Sequence, residues 1–193
     1  MSELPSIRPQ AIDALLRAGD EAWQELQRRT GPRHHLFVPC DQRDAYEALR
    51  RLRPRAATFL ELGSAAGVVT ILADMLGYEA CGIEIDPWLV QKSIELAEQF
   101  GSQATFAEGS FVPEAYRDAI EDLADDRLTV TEGRSAFEEL GLEMTDFDLV
   151  FAYPWPGEED WLHTLVARHA RPGAILLTYD SRDGFLETVI GER

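Results

Sequence analysis

The chain has 193 residues, of which 45% are hydrophobic and 27% charged, the size and balance of one folded domain with a real core rather than a disordered chain. Its 18 basic residues face 35 acidic ones, a formal net charge of −17, which argues against polyanionic partners because neutralising phosphates takes clustered Lys and Arg. No apolar run approaches the roughly 20 residues of a membrane span, and Met1-Ser2-Glu3-Leu4-Pro5 lacks the basic and apolar regions of a secretory signal. Cys40 and Cys81 show no metal-ligand spacing and make no disulfide framework. A soluble, cytoplasmic protein with no membrane partner is the expectation.

The charge is unevenly spread: residues 1–57 carry 10 basic and 8 acidic side chains, residues 58–193 carry 8 and 27. The basic run Arg50-Arg51-Leu52-Arg53-Pro54-Arg55 is short and reads as a solvated helix end rather than a nucleic-acid contact. In chain order, Ile12, Leu15, Leu16, Ala22, Trp23 and Leu26 recur at three and four, the spacing of a helix over 7–29, with Gly19-Asp20 as the point where it divides. Thr30-Gly31-Pro32 stops it. Leu36–Cys40 reads as extended, and Asp41 as the N-cap of a helix to about Leu52, ended by Pro54.

From Ala57 strands and helices alternate. Strands are expected at 58–62, 79–85, 104–107, 147–152 and 174–179, with helices at 68–76, 88–100 and 160–170 between them. Asp86-Pro87 sets a proline in a favoured first turn. Segment 113–146 is too long for a plain crossover; a helix over 113–123 and an extra strand over 127–131 are its expected contents. A last strand is expected at 185–190. This pattern gives an α/β fold, a doubly wound, mostly parallel sheet with helices on both faces. Residues 1–56 form an N-terminal helical extension or lid, 57–193 the Rossmann-like domain, and the C-terminal end is short.

Ligands of such sheets bind at the carboxyl ends of the strands. There lies Glu61-Leu62-Gly63-Ser64-Ala65-Ala66-Gly67, a turn whose glycines permit tight backbone paths. The dinucleotide pattern G-x-G-x-x-G fails at Ala65 and Val68, and no Gly-Lys follows to make a phosphate loop. An acid two residues before the first glycine suits a cationic ligand instead.

On these residues the chain resembles the class I S-adenosylmethionine-dependent methyltransferases. Glu61, Gly63 and Gly67 match the family's acid-x-Gly-x-Gly-x-Gly turn, with Ala65 at the middle glycine. Cys81-Gly82-Ile83-Glu84-Ile85-Asp86-Pro87 is similar to the second strand, whose terminal acid, here Glu84, accepts from both ribose hydroxyls. Phe106-Ala107-Glu108-Gly109-Ser110-Phe111 resembles the strand end whose Gly-Asp faces the adenine, with Ser110 in place of the aspartate. Asp148–Tyr153 resembles the strand that ends beside the methyl group. The resemblance covers roughly 57–180 and implies S-adenosylmethionine as cofactor, held by Glu61, Gly63, Ser64, Gly67, Glu84, Ile85, Gly109, Ser110 and Phe111.

The loop Tyr153-Pro154-Trp155-Pro156 partly resembles the Asn/Asp-Pro-Pro-aromatic motif of amino-directed methyltransferases, but with Tyr153 first and Trp155 and Pro156 transposed, so the amino-group assignment does not transfer. Tyr153 and Trp155 are the residues expected to wall the methyl side, where aromatic faces attract a sulfonium. Glu158, Glu159 and Asp160 supply either a base or, more simply, acids for the first turn of the next helix. His34-His35, on a loop before the first strand, is either a base near neutral pH or surface decoration. No metal site is expected. The acceptor implied is a small molecule or protein rather than nucleic acid. Two other readings stay open: a non-catalytic nucleoside-binding or assembly protein on the same fold, and an NAD-dependent oxidoreductase.

Overall fold

Sheet formation dominates the architecture of the computed structural model, which describes residues 8–30, 39–114, 116, 117 and 129–191. Strands β1 (Thr58–Leu62), β2 (Glu79–Glu84), β3 (Thr105–Glu108), β4 (Leu149–Ala152), β5 (Ile175–Asp180) and β6 (Gly184–Val189) form one sheet in the order β3-β2-β1-β4-β5-β6. Strands β1 to β5 are parallel, and β6 runs antiparallel to β5. The connections are α3 (Val68–Met75), α4 (Pro87–Phe100), α5 (Ala136–Leu140) and α6 (Glu159–His169). Two further helices, α1 (Pro9–Thr30) and α2 (Gln42–Leu52), precede β1.

Alternation along the strands makes two cores. Phe59, Leu149 and Phe151 point to the face covered by α1 to α4, while Leu60, Leu62 and Val150 point to the face covered by α5 and α6. Asp86 caps α4 by accepting from Trp88 and Leu89 N–H, ahead of Pro87 in the first turn. Asp41 caps α2 through Arg43 and Asp44 N–H.

Three sequence expectations change. Helix α1 does not divide at Gly19-Asp20. A Cβ on Gly19 would lie 2.5 Å from Val68 Cγ2, so the glycine serves close approach of α1 to α3 and the helix absorbs its poor propensity. The basic run is not simply solvated. Arg51 and Arg55 both pair with Glu187 of β6, Arg50 pairs with Glu47, and Arg53 donates to the carbonyls of Ala56 and Gly77. Arg51 and Arg55 tie the C-terminal end of α2 and the turn after it to the sheet edge. Finally, Thr129–Thr131 forms no strand; instead Ser135 makes an isolated bridge with Ser110. Of the helix expected over 113–123, residues Glu114, Tyr116 and Arg117 are helical and the stretch from 118 lies outside the described residues. No helix among the described residues is long and apolar enough to cross a membrane.

Candidate cofactor and acceptor cleft

Strand order reverses between β1 and β4, the place where a doubly wound sheet opens a crevice. A cleft of about 1110 Å³ lies there, lined by the turn after β1, the ends of β2 and β3, the loops after β4 and β5, and one side of α1.

The turn is built from left-handed residues. Gly63, Ala65 and Gly67 have φ of 77°, 47° and 76°, a region that glycine enters freely and alanine at a cost. Gly63 and Ser64 N–H both donate to the carbonyl of Ile83, at 2.9 and 2.8 Å, locking the turn to β2. Ala65 N–H donates to Glu84 Oε2 at 2.8 Å. The other oxygen, Oε1, accepts from Ile85 N–H at 2.7 Å and Asp86 N–H at 2.9 Å. Glu84 is therefore the hub of two turns, with three of its roughly four lone-pair sites taken. Its burial pushes the carboxyl up, while the three N–H groups pull it back down.

Glu61, 6% exposed, accepts from Thr70 Oγ1 at 2.5 Å. Burial pushes its carboxyl up to about 8, against the hydrogen bonds from Thr70 and with the nearby charge of Glu84. Cys40 lines the same part of the cleft, and burial followed by the charges of Glu61 and Asp41 pushes its thiol up. The sequence offered no signal for this beyond a free cysteine.

At the far end Ser110 is buried, and its hydroxyl donates to the carbonyl of Thr131 at 2.9 Å and accepts from Val112 N–H at 3.1 Å. One lone pair is left for a ligand. Phe111 stacks on Trp161, centroids 6.4 Å apart. A Cβ on Gly109 would lie 2.5 Å from the carbonyl of Arg134, so this glycine admits the 134–136 segment.

Of the residues singled out from sequence, Glu61, Gly63, Ser64, Glu84, Ile85, Gly109, Ser110, Phe111, Tyr153 and Trp155 all line the cleft. Gly67 does not. A Cβ there would lie 2.5 Å from Ser93 Cβ and 2.6 Å from the Phe106 ring, so Gly67 packs the start of α3 against α4 and β3. Gly82 does similar duty beneath Ser64, whose Cβ and Oγ a Gly82 Cβ would meet at 2.8 Å. His34 and His35 lie outside the described residues.

Beyond β4, Tyr153 sets its edge to Tyr179 at 4.9 Å, and Tyr179 touches Phe185 at 4.8 Å. Burial and the neighbours Tyr179, Cys40 and Asp180 push the Tyr153 phenol up, so it stays neutral at physiological pH. Glu158 is not simply a helix-start acid: it accepts from Thr129 N–H and Oγ1, at 3.1 and 2.5 Å, and so fastens that segment to α6. Glu159 accepts from Gly157 N–H at 2.8 Å. The loop after β5 (Asp180, Arg182, Asp183) and the α1 residues Asp20 and Trp23 also line the cleft. The strand-end rule points to the first group; nothing local in the sequence marks the second.

No family model matches the sequence. The chain is 41% identical over 81 residues to the ribosomal protein L11 methyltransferase of Thermus thermophilus, covering 42% of this chain and 30% of that protein. It is 37% identical over 54 residues to an ATP synthase lysine N-methyltransferase of Mus musculus, covering 28% of this chain and 22% of that protein. The chain thus spans less than a third of the length of these curated relatives. Among solved structures, an RNA methyltransferase from Salinibacter ruber in complex with S-adenosyl-L-homocysteine superimposes with a TM-score of 0.57 at 19% identity, over 81% of this chain and 95% of that one. The fold is the Rossmann-like fold of S-adenosylmethionine-dependent methyltransferases.

The site fits the cofactor that this fold implies. Nothing lies within 4 Å of a Cβ built on Gly63, so backbone there is open to a ligand. Ala65 is 4% exposed, so its methyl group is mostly packed against protein rather than standing in the cleft. Glu84 and Ser110 each keep lone-pair capacity for one further donor. For Glu84 this is a single hydroxyl rather than two while its backbone bonds stay intact.

Proposed function

We propose that the protein binds S-adenosylmethionine in this cleft and transfers its methyl group to a small-molecule or protein acceptor. The observation that carries the reading is the Ala65 N–H bond to Glu84. It joins the glycine turn of β1 and the acid ending β2, two separate sequence motifs, into one site. Bound S-adenosylmethionine supplies an electrophilic methyl group on a sulfonium.

The chain's own residues then have definable tasks. Gly63 presents open backbone to the amino-acid part, and Ser64 lines the cleft beside it. Glu84 accepts from the ribose, and Ser110 with the Phe111–Trp161 stack borders the base. Glu61 answers positive charge by releasing its proton and becoming a carboxylate. Tyr153 and Trp155 wall the methyl side and exclude water. Asp20, Trp23 and Leu26 of α1 and Cys40 line the cleft and would cover the cofactor from the N-terminal side. Nucleic acid is disfavoured as acceptor by the net charge of −17.

The test is a thermal-shift screen with S-adenosylmethionine, S-adenosylhomocysteine and NAD. The first two are expected to raise the melting temperature and NAD to leave it unchanged. A shift with NAD alone would reverse the assignment.

A further inference from the structure

Three contacts between separate parts of the chain close one end of the cleft. Ser110, just beyond β3, donates its hydroxyl to the carbonyl of Thr131 at 2.9 Å. Two residues earlier, Thr129 N–H and Oγ1 donate to Glu158, at 3.1 and 2.5 Å. Glu158 leads into the first turn of α6, which carries Trp161. The Trp161 ring lies within 6° of parallel to that of Phe111, the residue after Ser110. The contacts thus run in a ring, from Ser110 to Thr131, Thr129 to Glu158, and Trp161 back to Phe111. Ser110, Phe111, Thr129, Glu158 and Trp161 all line the cleft.

Two polar groups on this ring keep a defined capacity. Ser110 is 1% exposed, and its proton is spent on Thr131 and one lone pair on Val112 N–H, so toward a ligand it can only accept. Trp161 is 4% exposed, and its indole N–H, which can only donate, is buried without an acceptor among the described residues. Buried N–H groups are nearly always paired, and an acceptor brought by a ligand recovers what this one lacks. One acceptor and one donor beside the flat Phe111 ring complement a flat ligand whose edge carries an amino group next to a bare ring nitrogen. A ring with a carbonyl next to a protonated nitrogen carries the opposite pattern, and an anionic group meets the Ser110 lone pair. We infer that this end of the cleft selects a 6-aminopurine, with Ser110 Oγ accepting from the amino group and Trp161 Nε1–H donating to the ring nitrogen beside it. The inference deepens the proposed function and rests on it, since S-adenosylmethionine carries such a ring. It makes Trp161 the residue that specifies the base, at a position no sequence motif marks.

The experiment measures the affinity of the full chain for S-adenosylhomocysteine and three analogues: one with hypoxanthine in place of adenine, and two with carbon in place of N1 or N7. The hypoxanthine analogue and one of the two carbon analogues are each expected to bind about tenfold more weakly, because each leaves a buried partner unmatched. In parallel, NMR follows the indole N–H signals of the four tryptophans. The signal of Trp161, assigned by its loss in Trp161→Phe, is expected to move downfield with S-adenosylhomocysteine and to stay in place with the weaker carbon analogue. Trp161→Phe is expected to bind S-adenosylhomocysteine about tenfold more weakly and no longer to distinguish it from that analogue. Should the variant not fold, the analogue series on the unaltered chain decides alone. Equal affinity for all four ligands, or tight binding with the Trp161 signal unmoved, overturns the inference. If S-adenosylhomocysteine fails to bind while adenosine is preferred over inosine, the cofactor reading falls and this one stands; no binding of any of them overturns both.

Discussion

Glu61 is a carboxyl whose proton the fold retains. Its value lies at about 8 against an ordinary 4.5, chiefly because it is buried. Between those values the folded chain holds a proton that the unfolded chain has lost. The contribution to stability is therefore complete below about 4.5 and is lost as pH rises through about 8. Glu61→Gln is expected to flatten the dependence of melting temperature on pH across this window. A cationic ligand favours the ionised form, so S-adenosylmethionine is expected to bind more tightly as pH rises toward 8 and to release a proton. Calorimetry in buffers of different ionisation enthalpy reads that proton directly, and a heat independent of buffer contradicts the mechanism.

The hub at Glu84 gives a second residue-scale expectation. Glu84→Ala strands the buried N–H of Ala65, costing about 1–3 kcal/mol when unsatisfied, and removes the acceptor of the part-buried N–H groups of Ile85 and Asp86. The variant is thus expected to lose stability in denaturant titration as well as cofactor affinity. At Ala65 the backbone penalty is about 1–2 kcal/mol. Ala65→Gly relieves it while adding chain entropy to the unfolded state, so its stability is expected within about 1 kcal/mol of wild type. Ala65→Val, β-branched at positive φ, is expected to be clearly less stable and to bind S-adenosylhomocysteine more weakly. Equal behaviour of all three residues would mean the turn is not held as described.

At the scale of elements, the close approach of α1 to α3 sets which residues of α1 line the cleft. Gly19→Ala improves helix propensity by about 1 kcal/mol but drives a methyl into Val68 Cγ2, an overpacking worth about 1–3 kcal/mol. The expected net result is a lower melting temperature. Combining it with Val68→Ala should recover part of the loss, because the two share one contact; strict additivity in the double variant would contradict the packing. The parallel strands were legible because central strands buried on both faces read as short apolar runs, continuous in Leu149–Ala152 and broken only by Glu61 within Phe59–Leu62. The helix after Asp86-Pro87 was legible from its cap. What stayed hidden was non-local: Gly19 against Val68, the Ser110–Ser135 bridge, and α5, whose five residues are too few for a period to show. In the site, the glycine turn and Glu84 stood out as motifs. Their mutual bond, the packing of Gly67 against Ser93 and Phe106, the Cys40 wall and the Thr129–Glu158 tie depend on distant parts of the chain and left no local trace.

For the whole molecule, the acidity resolves into separate structural uses. Glu187 holds two arginines of α2 and its vicinity, Asp148 takes the N–H groups of Ala57 and Thr58 together with Arg171, and further carboxylates, among them Asp20, Asp86 and Asp180, line the cleft. A molecule so charged is steered toward cations and away from phosphate-rich surfaces. Its central feature is the cleft at the β1–β4 reversal, where we propose that the cofactor binds. The measurement that tests this most directly is calorimetric titration of the intact chain with S-adenosylhomocysteine. One molecule is expected to bind per chain, stabilising the fold by about 2.7 kcal/mol at a hundredfold excess over the dissociation constant. A flat titration at millimolar ligand, with the protein folded, would contradict the account.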